Sequence, residues 1–326
     1  MFRDDEATPT KRDLRSRVSA YVELTKPGIL QLLVLTTICA MFVAQRGVPD
    51  LVLMFWTLVG TIMVCGSANS LNMVWDRDID HLMGRTAHRP IVSGRVSVTA
   101  ALVWSAALGV GGLLLLGLTS NWLAAGMGLA GHLFYVIIYT MWLKRRTPQN
   151  IVIGGAAGAF PPLIGYAAVA GELDLVAWIV FAIIFLWTPP HFWALALYKD
   201  VEYGKANVPM MPVVRGKRTT KVQMLFYMGG LLVATAALTV VGSMGYVYSV
   251  AAVVLGAVFT YACVRTLLDD TDRWARRTFA VSIVYLGLLF GAMSADSIIG
   301  EPIWSGTDSF AEPLSGLELA RRERGR

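Results

Sequence analysis

Three oxygen-bearing side chains, Asn72, Asp76 and Asp80, recur at intervals of four residues. Side chains four apart on a helix share one face, each a turn above the last. One amide and two carboxylates in such a ladder are hard oxygen ligands in small number. That set suits Mg²⁺, which keeps several waters and takes further ligands from a substrate's phosphates. Asp78 falls off this face and is the weaker candidate. Arg85 and Arg89 follow within a few residues. Guanidinium forks bind phosphate oxygens in pairs, so two arginines four apart beside an acidic ladder form a diphosphate clamp. Lys144 and Arg145, at the end of a later apolar run, offer the same chemistry.

A second group lies further along the chain. Pro189 and Pro190 precede His191, with Trp187, Phe192 and Trp193 around them. Two missing backbone donors predict a kinked or broken helix there, with His191 at the break. A histidine in that position is either a proton acceptor or an iron ligand. Lys199, Asp200 and Glu202 come next, and Asp200 or Glu202 is a candidate ligand for a second metal. Their i, i+2 spacing keeps the two acids off a common helix face. Trp75, Tyr135 and Tyr139 join Trp187, Phe192 and Trp193 as aromatics able to shield a carbocation. His132 lies within an apolar run and reads as a hydrogen-bonder between helices. His81 and His88 read as loop residues. Cys39, Cys65 and Cys263 have neither metal-site nor redox spacing and read as packing residues.

The elements that carry these residues are membrane helices. The chain has 326 residues, 56% of them hydrophobic and 15% charged. A soluble domain carries roughly 25% charged residues. Nine apolar stretches reach spanning length, at about 28–45, 51–71, 98–118, 121–142, 151–170, 174–197, 222–242, 247–266 and 278–298. The ladder lies where the second span continues into its loop. Lysines and arginines fall 23 to one on alternate loops, with Arg46 the exception. By the positive-inside rule the N-terminus is cytoplasmic. Nine spans then place the tail from Gly300 outside, and its four arginines run against the rule but lie beyond the short reach over which loop charge sets orientation. The net charge of +6 does not imply nucleic acid, because the basic residues sit at the ends of apolar runs. The polar N-terminus has no apolar signal core, and Asp4, Asp5 and Glu6 are unlike a transit peptide. A bacterial inner membrane is the simplest location.

An oxygen ladder, fixed cations and an apolar chamber are together what ionisation of an allylic diphosphate needs. The ladder Asn72, Asp76 and Asp80 resembles the first aspartate-rich motif of the UbiA-type intramembrane prenyltransferases. The longer pattern Asp76, Asp78, Asp80, Met83, Arg85, Thr86, Arg89 and Pro90 is similar to that of the haem O synthases, the protohaem IX farnesyltransferases. So are the stretches 143–158, 188–193 and 207–214. The resemblance covers about residues 20–298. It implies an all-α, polytopic membrane protein, a UbiA-type bundle of nine transmembrane helices. Residues 1–20 would be a cytoplasmic tail, 21–298 the prenyltransferase domain and 299–326 a polar tail.

The resemblance also implies transfer of a farnesyl group from farnesyl diphosphate to a vinyl group of haem b, giving haem O for terminal oxidases. Asn72, Asp76 and Asp80 would bind Mg²⁺ and diphosphate. Arg85, Arg89, Lys144 and Arg145 would hold phosphates or haem propionates, with Asn150 and Lys199 as further substrate-binding residues. Asp200 and Glu202 would be additional metal ligands, and His191 would face the haem. Glu202 departs from the family pattern, which has Asp before the tyrosine. A haem A synthase or an oxidase is the partner that such a product implies. Two other readings stand beside this one. The first is a UbiA-type prenyltransferase of a quinone precursor or another ring acceptor such as a chlorophyll-type ring; a quinone-type enzyme would show a second Asp-xxx-Asp ladder after the sixth span, and this chain has none there. A secondary transporter would show inverted repeats and midplane charges, and neither is evident.

Overall fold

The computed structural model describes residues 11–300, with side chains from residue 14. Residues 1–10 and 301–326, most of the two expected tails, lie outside the described residues. All regular structure among the described residues is helical. A short helix α1 (Lys11–Leu24) precedes α2 (Pro27–Gln45), α3 (Leu51–Asp80), α4 (Val98–Thr119) and α5 (Trp122–Leu133). The last continues as a π-helical segment, Phe134–Leu143. Then follow α6 (Asn150–Ala170), α7 (Leu175–Tyr198), the short α8 (Asp200–Lys205) and α9 (Met211–Arg215), α10 (Lys217–Val240), α11 (Tyr246–Leu268) and α12 (Arg273–Ile299). Nine of these, counting α5 with its π segment, are long and apolar enough to cross a membrane.

Local chemistry sets the helix starts. Asp50, Ser97, Asn121 and Asp174 each cap a helix by accepting a bond from the backbone N–H three residues on. Pro27 opens α2, where its missing N–H costs nothing. Residues on both sides of Pro189 and Pro190 are buried, and α7 runs unbroken to Tyr198. The expected break is therefore absent. In an apolar surround, leaving the helical path would strand further backbone groups, which costs more than the two lost donors.

The helices pack around a shared interior. α3 lies on α4, α2 on α6, α6 on α7, α7 on α10, and α11 on α12. α12 also packs on α2 and α7, which closes the arrangement. Gly165 makes the α2–α6 approach possible, since a Cβ there would come within 2.4 Å of the Thr37 carbonyl oxygen. The part of the N-terminal stretch that is described forms α1, which buries Ala20 and Leu24 against Met73, Val74 and Ala101.

Candidate active site

A chamber of about 480 Å³ opens between the helices. α3 runs on to Asp80 without interruption and brings Asn72 and Asp80 into the chamber wall, while Asp76 does not line the chamber and is buried against Asn72. Asn72, Asp76 and Asp80 are each at most 2% exposed. Asn72 donates to Asp76 Oδ2 at 2.8 Å and to Thr140 Oγ1 at 3.1 Å. Each carboxylate also meets a cation. Lys144 pairs with Asp76, and Arg89 donates to Asp80 Oδ2 at 2.6 Å. Arg89 gets there because the segment after α3 turns back, with the Thr86 hydroxyl donating to the Asp80 carbonyl at 2.7 Å.

The π-helical segment positions the opposite wall. Its i→i+5 bonding ends with the Lys144 amide on the Tyr139 carbonyl at 2.9 Å. Tyr135, Tyr139 and Lys144 all line the chamber. π-helical turns often mark functional sites. Gly154 on α6 leaves room for Tyr139, whose ring lies 2.2 Å from where a Cβ would be.

Lys26 completes the cluster. It sits just before Pro27 with φ of 56°, a left-handed conformation that costs a non-glycine residue roughly 1–3 kcal/mol. Its ammonium donates to Asn72 Oδ1 at 2.5 Å. Burial, then the nearby charges of Arg89 and Lys144, hold its pKa well below the usual lysine range. In the sequence it counted only as one more cytoplasmic charge. Its one local signal is a lysine immediately before a helix-opening proline. Tyr203, from α8, also lines the chamber, and burial raises its phenol pKa. Its one signal in the sequence is its place after Glu202, in the stretch where the family pattern has Asp before the tyrosine.

The oxygens left over bear on metal binding. Asp76 Oδ1 and Asp80 Oδ1 are buried without a hydrogen-bond partner. Arg145 approaches Asp76 Oδ1 only to 3.5 Å. Each carboxylate thus has one oxygen held by a cation and one open. No group of three or more His, Cys, Asp or Glu side chains forms a metal cage among the described residues. Two carboxylates and an amide without a cage match the way Mg²⁺ is shared between protein and phosphates. The donor set fits that ion.

The other expected residues divide. Arg85 lines the chamber and makes no ion pair among the described residues. Asn150 lines it too, with its Oδ1 unpartnered. Arg145 is turned outward, with both terminal nitrogens on Asp78 at 2.7 Å. Lys199, Asp200 and Glu202 are not among the chamber residues. Lys199 pairs with Glu202 at 2.5 Å, and Asp200 with Lys217 at 3.2 Å. Of the aromatics, Tyr135, Tyr139, Trp187 and Phe192 line the chamber, whereas Trp75 and Trp193 do not. His132 lines it and lies 3.3 Å from the Val64 carbonyl, bridging α5 and α3. His191 sits inside the continuous α7, stacked between Trp187 and Phe279 at 4.2 and 4.7 Å.

The model of the UbiA prenyltransferase family matches residues 33–286. The chain is similar to the protoheme IX farnesyltransferase of Symbiobacterium thermophilum, 50% identical over 86% of this chain and 94% of that one. It is similar to the protoheme IX farnesyltransferase of a Cyanothece species, 48% identical over 90% and 91%. A Roseiflexus relative with the same name is 45% identical over 87% of the chain, which spans only 53% of that longer protein. Among solved structures, a digeranylgeranylglyceryl phosphate synthase superposes with a TM-score of 0.73 at 20% identity, over 86% of this chain and 99% of that one. A UbiA homologue of Archaeoglobus fulgidus bound to DMAPP and Mg²⁺ gives 0.60 at 15% identity, over 84% and 99%. The chain belongs to the UbiA prenyltransferase family.

Proposed function

We propose that this chain transfers the farnesyl group of farnesyl diphosphate to a vinyl group of haem b, forming haem O. One observation carries the diphosphate half of this reading. Two buried carboxylates with unpartnered oxygens, Asp80 in the wall of an apolar chamber and Asp76 buried beside Asn72, lie among Lys26, Arg85, Arg89 and Lys144. Arg85, Arg89 and Lys144 against two carboxylates leave an excess of positive charge for an anionic headgroup even without Lys26. Asn72, Asp76 and Asp80 would hold Mg²⁺, which when bound supplies charge neutralisation for the leaving pyrophosphate. Arg85 is free to take phosphate oxygens, and Arg89 and Lys144 can exchange a carboxylate for them. The aromatic and aliphatic wall keeps water from the allylic cation until the acceptor reacts.

In this reaction the allylic C–O bond breaks and pyrophosphate departs. The haem vinyl carbon forms the new C–C bond. Water adds to the resulting cation and loses a proton, giving a hydroxyethylfarnesyl side chain. Identities of 45–50% to proteins named protoheme IX farnesyltransferase support haem b as acceptor. His191 in the chamber wall is chemically suited to a haem. The domain is residues 21–298, with the site on the cytoplasmic side, as the loop charges favour. A haem A synthase or an oxidase is the class of partner that would take up the product. Purified chain in lipid, given haem b, farnesyl diphosphate and Mg²⁺, should yield a farnesylated haem identifiable by mass. Folded protein that forms none contradicts the proposal.

A further inference from the structure

The His191 ring has two nitrogens, and its surroundings decide which one carries the proton. Nδ1 lies 2.6 Å from the Ser282 hydroxyl on α12. That hydroxyl also lies 2.6 Å from the carbonyl oxygen of Phe279. A carbonyl oxygen only accepts, so the single hydroxyl hydrogen of Ser282 goes to Phe279. Ser282 Oγ must then accept from His191, which places the imidazole proton on Nδ1. Nε2 is left with its lone pair, and it makes no hydrogen bond among the described residues. The ring lines the chamber.

Ser282 acts a second time. Its backbone carbonyl accepts from Trp187 Nε1 at 2.8 Å. Trp187 stacks on one face of His191, with the ring planes 17° apart, and Phe279 stacks on the other at 24°. One residue of α12 therefore sets both the tautomer of the imidazole and the aromatic clamp that orients it. A general base needs a neighbour to stabilise the imidazolium that forms. Among the described residues, the side chains in hydrogen-bond or ring contact with His191 are a hydroxyl and three aromatic rings, Trp187, Phe192 and Phe279, with no carboxylate. A neutral imidazole with a fixed, open Nε2 is instead what haem iron takes as an axial ligand.

We infer that Ser282 is a positioning residue that locks His191 as its Nδ1–H tautomer, so that Nε2 ligates the iron of the acceptor haem. This rests on the proposed function, since it takes haem b as the acceptor. Outer-shell partners of a metal-ligating histidine typically contribute about 10–100-fold in affinity. The test is haem b titrated into the full-length protein in lipid, followed by its Soret and electron-paramagnetic-resonance spectra. Wild type should give a histidine-ligated spectrum, and His191→Gly should lose it and regain it with added imidazole. Ser282→Ala should weaken histidine-ligated haem binding by about ten-fold or more, with farnesyl diphosphate affinity unchanged. Ser282→Thr, which keeps the hydroxyl, should restore it. An unchanged spectrum and affinity in Ser282→Ala would overturn the positioning role. A histidine-ligated spectrum surviving in His191→Gly without imidazole would overturn the ligand, while continued haem farnesylation by wild type would leave the proposed function standing. Folded wild type that binds no haem would overturn both.

Discussion

Asp76 is where the charges of the site converge. Asn72 and Lys144 both hold its Oδ2, and its Oδ1 stays open. Asp76→Asn keeps the shape and removes the charge. Turnover should fall by about 100-fold or more, the scale seen when one preorganised electrostatic group is lost. Steady-state kinetics checks this, and unchanged turnover would take Asp76 out of the site. Lys26→Met should weaken farnesyl diphosphate binding by roughly ten-fold, taking about 1.5 kcal/mol for a charge-assisted hydrogen bond. Equilibrium binding of a non-ionising analogue is the measurement. At this scale the sequence was legible where residues sit on one helix. The four-residue spacing reveals Asn72, Asp76 and Asp80, and places Asp78 off the face, where it is 59% exposed. It cannot reveal Lys26 or Ser282, which reach their partners across 46 and 91 positions. Nor can it separate Lys144, which turns inward, from Arg145, which turns out to Asp78.

At the scale of elements, two joints can be tested. Asp269 links α11 to α12 by accepting from the backbone N–H groups of Thr271 and Trp274, both at 2.9 Å. The Trp274 bond, then the Thr271 hydroxyl, which donates to Oδ1 at 2.7 Å, and the Thr271 amide lower its pKa from 3.8 to about 2. A depressed carboxylate stabilises the fold above its ordinary pKa, and the benefit disappears as pH falls through the lowered value. Thermal unfolding should show wild type losing stability from pH 3.8 toward 2 more steeply than Asp269→Asn. Equal slopes would contradict the cap. Gly165→Ala should separate α2 from α6 and cost about 1–3 kcal/mol, read as a lower Tm. The nine spans are legible in the sequence because length and hydropathy suffice for them. The π-helical form of 134–143 is not, because nothing in its composition sets it apart from an α-helix. The continuity of α7 through Pro189 and Pro190 is also hidden, since it turns on the burial of the residues around them.

For the whole molecule, the account needs one face of the bundle to hold the diphosphate machinery. The end of α3 meets the π segment there, and the proposed orientation from the basic loops puts that face on the cytoplasmic side. Cysteines introduced at Ser93 and Val48, on loops at opposite ends of α3, should react differently with an impermeant thiol reagent in intact cells. Val48→Cys should label and Ser93→Cys should not, and the reverse pattern would invert the topology. Family membership follows from the spacing, the spans and the matched residues 33–286 together. The acceptor is a separate matter, since a diphosphate site of this kind would serve any ring that fits above it. The most direct measurement sets purified wild type, with farnesyl diphosphate and Mg²⁺, against haem b and a hydroxybenzoate-type ring in parallel, with products identified by mass. A hydroxyethylfarnesyl haem and no prenylated ring is the expected result. A prenylated ring with unmodified haem would contradict it.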